Sequence, residues 1–122
     1  MPRYVDGFLL VVPKKRLAEY RTISRKAAKV WQDHGALDYV ECVGDDLKQQ
    51  RGMGTSFPKV TKLKAGEVVV FSWIIYKSRS HRDAVNKKVV QDPRLAAMMD
   101  GSAMPFDHKR MSYGGFKVLV DA

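Results

Sequence analysis

A nine-residue apolar run, Val68–Tyr76, most constrains what this chain can fold into. Only Ser72 is polar within it, and valine, isoleucine, phenylalanine, tryptophan and tyrosine make up the rest. These β-branched and aromatic types favour a strand over a helix. Because apolar side chains point to both faces, the run predicts a central strand that is covered on both sides. The polar residues 77–79 then lead to Ser80, which we expect to cap a helix.

The other segments alternate between strand and helix patterns around this run. Further strands are predicted over Tyr4–Val12, Ala36–Val43 and Arg110–Val120, and helices over Lys14–His34, Ser80–Gln91 and Arg94–Asp100. This β-α-β-β-α-β order predicts an α+β, ferredoxin-like domain with an antiparallel sheet of four strands. With 122 residues, the chain is predicted to form a single domain over residues 1–122.

Two glycine-containing segments interrupt the pattern. Residues 44–66 read as an irregular loop, with Thr61–Leu63 as a short strand extension. Loops longer than about 12–15 residues are uncommon in compact domains and often serve binding. Gly114 and Gly115 lie inside the last predicted strand. This pair predicts either a bulge or a backbone pressed against a partner or ligand.

The predicted sheet leaves one face without a cover. The helices of this arrangement cover one face only, yet the first, third and fourth predicted strands are apolar on both faces. A second copy of the chain is the economical source of that cover. We therefore predict a homodimer in which two sheets pack face to face as a dimeric α+β barrel.

The chain carries a net charge of +9, concentrated in its first third and around residues 79–88. Lys14, Arg21, Arg25 and Lys29 follow one face of the first predicted helix. Like charges four residues apart disfavour an isolated helix, so an anionic neighbour would stabilise it. Two interpretations remain open: a surface for RNA or another anionic polymer, or an ordinary solvated face.

Several classes of protein lack support in the sequence. A single cysteine, Cys42, argues against an internal disulfide and a cysteine-rich metal site. No apolar run approaches the roughly 18 residues of a membrane span, and the first residues lack a signal-peptide layout. We expect a cytoplasmic protein without a membrane partner. The three histidines lack metal-site spacing, and no cofactor is predicted.

His81 and Arg82, at the start of the second long helix, are the strongest candidate functional residues. A helix N-terminus favours an anion and a neutral imidazole. His81 could therefore act as a base or hydrogen-bond donor, with Arg82 or Arg79 holding a carboxylate or enolate. The competing interpretation makes His81 an ordinary surface residue at a helix start.

Residues from other elements complete the predicted site. Trp73 and Tyr76 are expected to line a pocket with His81. Further candidate neighbours are His34, Glu41, Arg110 and Tyr113. Glu41 lies among apolar strand positions, so it is an acid or base with a raised pKa, the partner of an arginine, or a residue near a sheet edge. No metal ligands are predicted among these residues.

Eight segments together resemble the bacterial YbaA-like family, a domain family of unknown function. They are YVDGF at 4–8, HGAL at 34–37, EC at 41–42, TSFP at 55–58, EVVVFSWI at 67–74, KSRSHRDAVN at 77–86, DPR at 92–94 and MPFDHKRMSYGGF at 104–116. The resemblance runs nearly end to end. It implies the dimeric α+β barrel superfamily, in which a pocket commonly lies between the sheet and the helices of each protomer.

Two functions follow as expectations. The resemblance implies a site that binds a small organic molecule, and one form of this prediction is an anionic ligand. The site would serve binding alone, or cofactor-independent oxygenation or isomerisation of the ligand. The alternative is binding of RNA or another anionic polymer through the basic helix faces, without catalysis. Such binding would weaken steeply with salt.

Overall fold

The computed structural model describes residues 2–49, 51–98 and 104–122. Within these ranges the strands are β1 (Tyr4–Pro13), β2 (Asp38–Val43), β3 (Glu67–Tyr76) and β4 (Ser112–Lys117). The helices are α1 (Leu17–Asp33), α2 (Phe57–Val60), α3 (Arg79–Val90) and α4 (Pro93–Met98). The strands form one antiparallel sheet in the order β2-β3-β1-β4. The predicted α+β, ferredoxin-like fold is confirmed, with the apolar run as an inner strand.

Several predicted details were wrong. Ser78, rather than Ser80, caps α3, because its hydroxyl accepts a hydrogen bond from the His81 backbone N–H at 3.2 Å. The strand extension at Thr61–Leu63 is a turn that follows α2. Gly114 and Gly115 form no bulge, since β4 pairs with β1 in unbroken register.

Strand and helix ends also differ from the prediction. β2 begins two residues later than expected, and β4 is shorter at both ends. Within the predicted helix Arg94–Asp100, α4 ends at Met98, and residues 99–100 lie outside the described part of the chain. These ends depend on tertiary hydrogen bonds, which local sequence patterns do not specify.

The helix-covered face of the sheet carries most of the core. Strand alternation directs every second residue of β1 and β3 towards α1 and α3. Residues fully buried there include Val12, Val30, Tyr76, Val85 and Val89. Burying one such aliphatic side chain stabilises the fold by about 1.5–3 kcal/mol. This layer fixes the positions of the polar side chains described below.

The opposite face of the sheet remains largely apolar, and we call it the open face. It presents Val5, Leu9, Phe71, Trp73, Ile75 and Phe116 around one shallow concavity. The ring of Phe57 from α2 lies 6.3 Å from that of Phe71, so α2 covers one end of this face. Phe71 and Phe116 nevertheless remain 46% and 62% exposed.

Arg110 ties the start of β3 to the segment before β4. Its Nη2 and Nη1 donate to the Glu67 carboxylate at 2.6 and 2.8 Å, and its Nε donates to Asp107 Oδ2 at 2.8 Å. Such bidentate pairs are the stronger class of charged hydrogen bond. They hold the pKa of Glu67 at about 2, below its ordinary value of 4.5.

This pair predicts an acid-dependent stability. A carboxylate whose pKa is lowered by folding contributes fully above its ordinary pKa and loses that contribution as pH falls towards the folded value. We expect Arg110→Gln to show a smaller drop in melting temperature than the wild type between neutral pH and a pH of about 3. Thermal melts across this range test it, with the exposed Arg79→Gln as control. An equal drop in all three proteins would contradict the assignment.

Candidate functional site

The predicted pocket lined by Trp73, Tyr76 and His81 is not formed as expected. Trp73 and Tyr76 stand three positions apart in β3, so their side chains point to opposite faces of the sheet. Trp73 lies on the open face, whereas Tyr76 is fully buried beneath α3. One protomer therefore cannot enclose a ligand between both side chains. The ligand-binding role of Trp73 stays a prediction.

His81 stabilises the turn between β3 and α3. Its Nδ1 accepts a hydrogen bond from the Lys77 backbone N–H at 2.9 Å, and its ring meets Tyr76 edge-on at 6.0 Å. A Cβ on Gly35, which has a φ of 109°, would lie 3.3 Å from His81 Nε2. With Nδ1 accepting, a neutral imidazole carries its proton on Nε2. A catalytic role for His81 stays a prediction beside this structural one.

Three other predicted residues lie apart from Arg82 and Tyr76. Arg79 is exposed on α3, and Arg110 is held by Glu67 and Asp107. His34 Nε2 lies 2.8 Å from Asp92 Oδ2, and Arg94 binds that same carboxylate. The Arg94 and His34 hydrogen bonds hold the pKa of Asp92 well below its usual range. These contacts join the end of α1 to α4.

A buried polar network does form around Arg82 and Tyr76. Asn86 donates from Nδ2 to Asp6 Oδ2 at 3.3 Å, and its Oδ1 accepts from Tyr76 and Trp31 at 3.2 and 3.0 Å. Arg82 Nε lies 3.7 Å from Asp6 Oδ1. The network thus links β1, β3, α1 and α3 through side chains.

Tyr4 completes this network on the β4 side. Arg82 Nη2 donates to the Tyr4 hydroxyl at 3.2 Å, and the guanidinium stands 4.9 Å from the centre of the Tyr4 ring. Arg82 and Tyr4 also press against Gly115, where an added Cβ would lie 2.6 Å from the Tyr4 oxygen. The backbone at the glycine pair was predicted to press against a partner or ligand. At Gly115 the close neighbours are instead Tyr4 and Arg82 of the same chain.

The surroundings of this network shift the pKa values of Tyr76 and Arg82 upwards. Burial and the neighbouring Asp6 charge raise the pKa of Tyr76, so its phenol remains a neutral donor. Burial alone would lower the pKa of Arg82, but its bond to Tyr4 and the Asp6 and Asp83 charges raise it overall. Arg82 Nε is buried, and among the described residues no group hydrogen-bonds to it. Asp83 Oδ1 lies 3.2 Å from this nitrogen, so two carboxylates balance the guanidinium charge without a well-aligned hydrogen bond to Nε.

The network borders a pocket between the sheet and the helices. A cavity of about 220 Å³ with mostly apolar walls lies beneath α1 and α4. A cleft of about 320 Å³ beside β4 is lined by Asp6, Arg82, Asn86, Tyr113 and Gly115, among others. The two spaces share Phe8, Trp31, Ile74 and Leu95, and we call them together the central pocket. Tyr113 stacks on Phe8 at 6.4 Å.

Glu41 supplies a second polar group to this pocket. Its carboxylate lines the cavity and accepts hydrogen bonds from Tyr20 at 2.6 Å and Tyr39 at 3.2 Å. Burial, and then the Glu41 charge, raise the pKa of both phenols. Both tyrosines therefore stay protonated. Among the predicted candidates, Glu41 and Trp73 line this cavity, and the Trp73 ring packs against Phe71 of the open face.

The structure adds residues that the sequence interpretation did not place in a site. Asp6, Asn86, Trp31 and Tyr4 all belong to the polar network. Asp6 had one usable signal, because a carboxylate inside an apolar strand needs a polar partner. Neither the identity of that partner nor the cleft beside it follows from local spacing.

Neither a metal centre nor a membrane span is found in the described residues. In ranges 2–49, 51–98 and 104–122, no three histidine, cysteine or acidic side chains are grouped as metal ligands would be. No helix in the same ranges combines the length and apolar character needed to cross a membrane.

Comparison with known proteins identifies the family. The family described as "Protein of unknown function (DUF1428)" matches residues 3–108. The chain belongs to this family. The "Uncharacterized protein YbaA" of Escherichia coli strain K12 is 44% identical over 119 residues, covering 98% of each chain. The YbaA-like resemblance of this DUF1428 chain is thereby confirmed.

Solved structures share the fold of this DUF1428 protein. An uncharacterised NIPSNAP domain protein from Burkholderia xenovorans aligns with a TM-score of 0.54 at 17% identity, covering 98% of this chain and 94% of its own. A mutant of SnoaB, a cofactor-independent oxygenase from Streptomyces nogalater, aligns with a TM-score of 0.54 at 12% identity, covering 99% and 97%. At such identities the likeness concerns the fold alone.

Proposed function

We propose that this protein binds a small organic molecule with a largely apolar body in the central pocket. The observation that carries the proposal is the Asp6 carboxylate, which is 8% exposed and lies at the wall of the cleft. Its contacts to Asn86 Nδ2 and Arg82 Nε are long, at 3.3 and 3.7 Å. The Tyr76 hydroxyl is a third hydrogen-bonding neighbour, and because a carboxylate has about four acceptor positions, Asp6 retains acceptor capacity for a ligand.

The walls of the central pocket favour an aromatic or cyclic ligand. Phe8, Trp31 and Leu95 separate the polar cleft from the cavity and contribute to both. A ring held against these side chains would place its polar substituent beside Asp6 and Arg82. Pockets with apolar walls and a few convergent polar groups are the usual form of small-molecule sites.

The polar groups also suit a proton transfer. Asp6 would remove a proton from the carbon next to a carbonyl, and the Arg82 guanidinium would stabilise the enolate oxygen that forms. In an unsaturated ketone, return of the proton to the far carbon of the conjugated enolate gives an isomerisation. Alternatively, dioxygen oxidises the enolate by forming a carbon–oxygen bond, and uptake of one proton gives a hydroperoxide. The description of SnoaB as a cofactor-independent oxygenase supports this choice of chemistry.

The test uses β-tetralone, a bicyclic ketone with acidic protons beside its carbonyl. The ketone itself has no donor for Asp6, so affinity is measured by calorimetry with 2-naphthol, whose hydroxyl can donate to Asp6 as the enol of β-tetralone would. Loss of a hydrogen bond to a charged group costs about 1.5–3 kcal/mol, so Asp6→Asn should weaken 2-naphthol binding about 10- to 100-fold. The exposed Asp45→Asn is the control and should bind as the wild type does. Exchange of these protons with deuterated water, followed by NMR, should be accelerated by the wild type and not by Asp6→Asn.

The outcomes separate binding from chemistry. Binding without accelerated exchange would reject the proton transfer and leave a binding protein. Equal affinities for the wild type and Asp6→Asn would reject Asp6 as the anchor. No binding by the wild type would contradict the proposal for enolisable ketones.

We also propose that two chains pair through their open faces. The concavity there is bordered almost entirely by apolar side chains, among them Phe71, Trp73 and Phe116. Large exposed apolar patches on small proteins usually mark interaction sites. In a two-fold dimer both chains use the same patch, so this apolar face can be covered by its own copy, which supports a second chain as the occupant.

A further inference from the structure

A groove between α1 and the edge strand β2 forms a second site, apart from Asp6 and Arg82, although Tyr20, Tyr39 and Glu41 line both this groove and the cavity of the central pocket. It encloses about 290 Å³ and has apolar walls that include Leu17, Ala28 and Val70. Arg21 and Arg25 line it from α1, and Glu41 lines it from β2. The groove therefore combines an apolar interior with charges of both signs.

The two arginines provide a positive rim. Arg21 and Arg25 are exposed and stand one helical turn apart. Within the described part of the chain, neither forms an ion pair, whereas Arg82, Arg94 and Arg110 all do. Two guanidinium groups at this spacing repel each other until an anion lies between them.

The opposite wall carries the Glu41 carboxylate. Tyr20 and Tyr39 each donate one hydrogen bond to the Glu41 carboxylate, at 2.6 and 3.2 Å. Because burial and the Glu41 charge raise the pKa of both phenols, they remain donors and Glu41 remains the acceptor. A carboxylate has about four acceptor positions, so Glu41 can take further donors from the groove.

We propose that this groove binds a small zwitterion, an α-amino acid with an apolar side chain. Its carboxylate contacts Arg21 and Arg25, and its ammonium group donates to Glu41. The Glu41 carboxylate would repel a simple anion, and the two guanidinium groups would repel a simple cation. Only a ligand with both charges satisfies both walls, and its side chain packs against Leu17 and Ala28.

Three matched probes test the charge requirement. L-phenylalanine carries both groups, hydrocinnamate lacks the ammonium group and phenethylamine lacks the carboxylate. Titration calorimetry should show that L-phenylalanine binds with a millimolar or lower dissociation constant. The affinities of hydrocinnamate and phenethylamine should each be weaker by about tenfold or more. Equal affinity for hydrocinnamate would overturn the role of Glu41, and no binding of L-phenylalanine would overturn the proposal.

Matched variants test the location. The double variant Arg21→Gln, Arg25→Gln and the single variant Glu41→Gln should each weaken L-phenylalanine binding at least about tenfold. Lys26→Gln, exposed on the same helix, should leave it unchanged. Because the double variant changes exposed residues alone, it tests the site even if Glu41→Gln unfolds. Unchanged affinity in the double variant would overturn the assignment, whatever the outcome for β-tetralone in the central pocket.

Discussion

Gly115→Ala should lower the melting temperature by about 5–15 °C, because overpacking costs about 1–3 kcal/mol in a domain of this size. The new methyl group would lie 2.6 Å from the Tyr4 oxygen, 2.7 Å from Tyr4 Cε2 and 2.8 Å from Arg82 Nη2. Contacts below 3.0 Å require the Tyr4 ring and the Arg82 guanidinium to move. Differential scanning calorimetry measures the change directly.

Gly114→Ala is the matched control on the same strand. Its Cβ would point to the open face, where Phe116 Cε1 at 3.8 Å is in ordinary contact distance. We expect its melting temperature to stay within about 2 °C of the wild type, as for most substitutions without a steric conflict. Equal destabilisation by both alanines would mean that the glycines serve the backbone of β4 and not the Tyr4–Arg82 contact.

A second large effect is expected at the open face. Trp73→Glu should convert a dimer into a monomer, since it replaces a large aromatic side chain at the proposed interface with a charge. Truncating an interface hot spot, a class in which tryptophan is enriched, costs about 2 kcal/mol or more, which is about 30-fold in dissociation constant, and burying an unpaired carboxylate costs more. Light scattering coupled to size-exclusion chromatography reports the molar mass.

The control for this variant is Ala18→Glu, which adds the same charge at an exposed position of α1. It should keep the wild-type mass. A monomeric wild type would contradict the proposed dimer, and a dimeric Trp73→Glu would place the interface elsewhere. Neither result depends on the central pocket having a ligand.

The order of strands and helices was predictable because the apolar residues of each long element recur at the spacing typical of its type. The apolar run of β3 and the three-four spacing along α1 specify element type without help from the rest of the chain. Element ends were harder to predict, because Ser78 and Ser80 both satisfy the local rule for a helix cap. The hydrogen bond between Ser78 and His81 decides the choice, and it forms only in the folded turn.

The candidate site was predictable only in part. Arg82 and Tyr113 do lie at the cleft, but Trp73 was grouped with Tyr76 although strand alternation places them on opposite faces. Asp6 and Asn86 meet across 80 residues of sequence. Their contact depends on how α3 packs on the sheet, which no local spacing reveals.

The measurement that tests the central pocket most directly is an NMR titration of isotope-labelled protein with β-tetralone. The chain has two tryptophans, so its two indole N–H signals report two different places. Trp31 donates to Asn86 at the pocket wall, whereas the Trp73 indole ring packs against Phe71 on the open face, although the Trp73 strand position also borders the cavity. We predict that the Trp31 indole and the Asn86 side-chain amide signals shift together with ligand while the Trp73 signal stays fixed. A shift of Trp73 alone, or of neither tryptophan, would contradict a small-molecule site between the sheet and the helices.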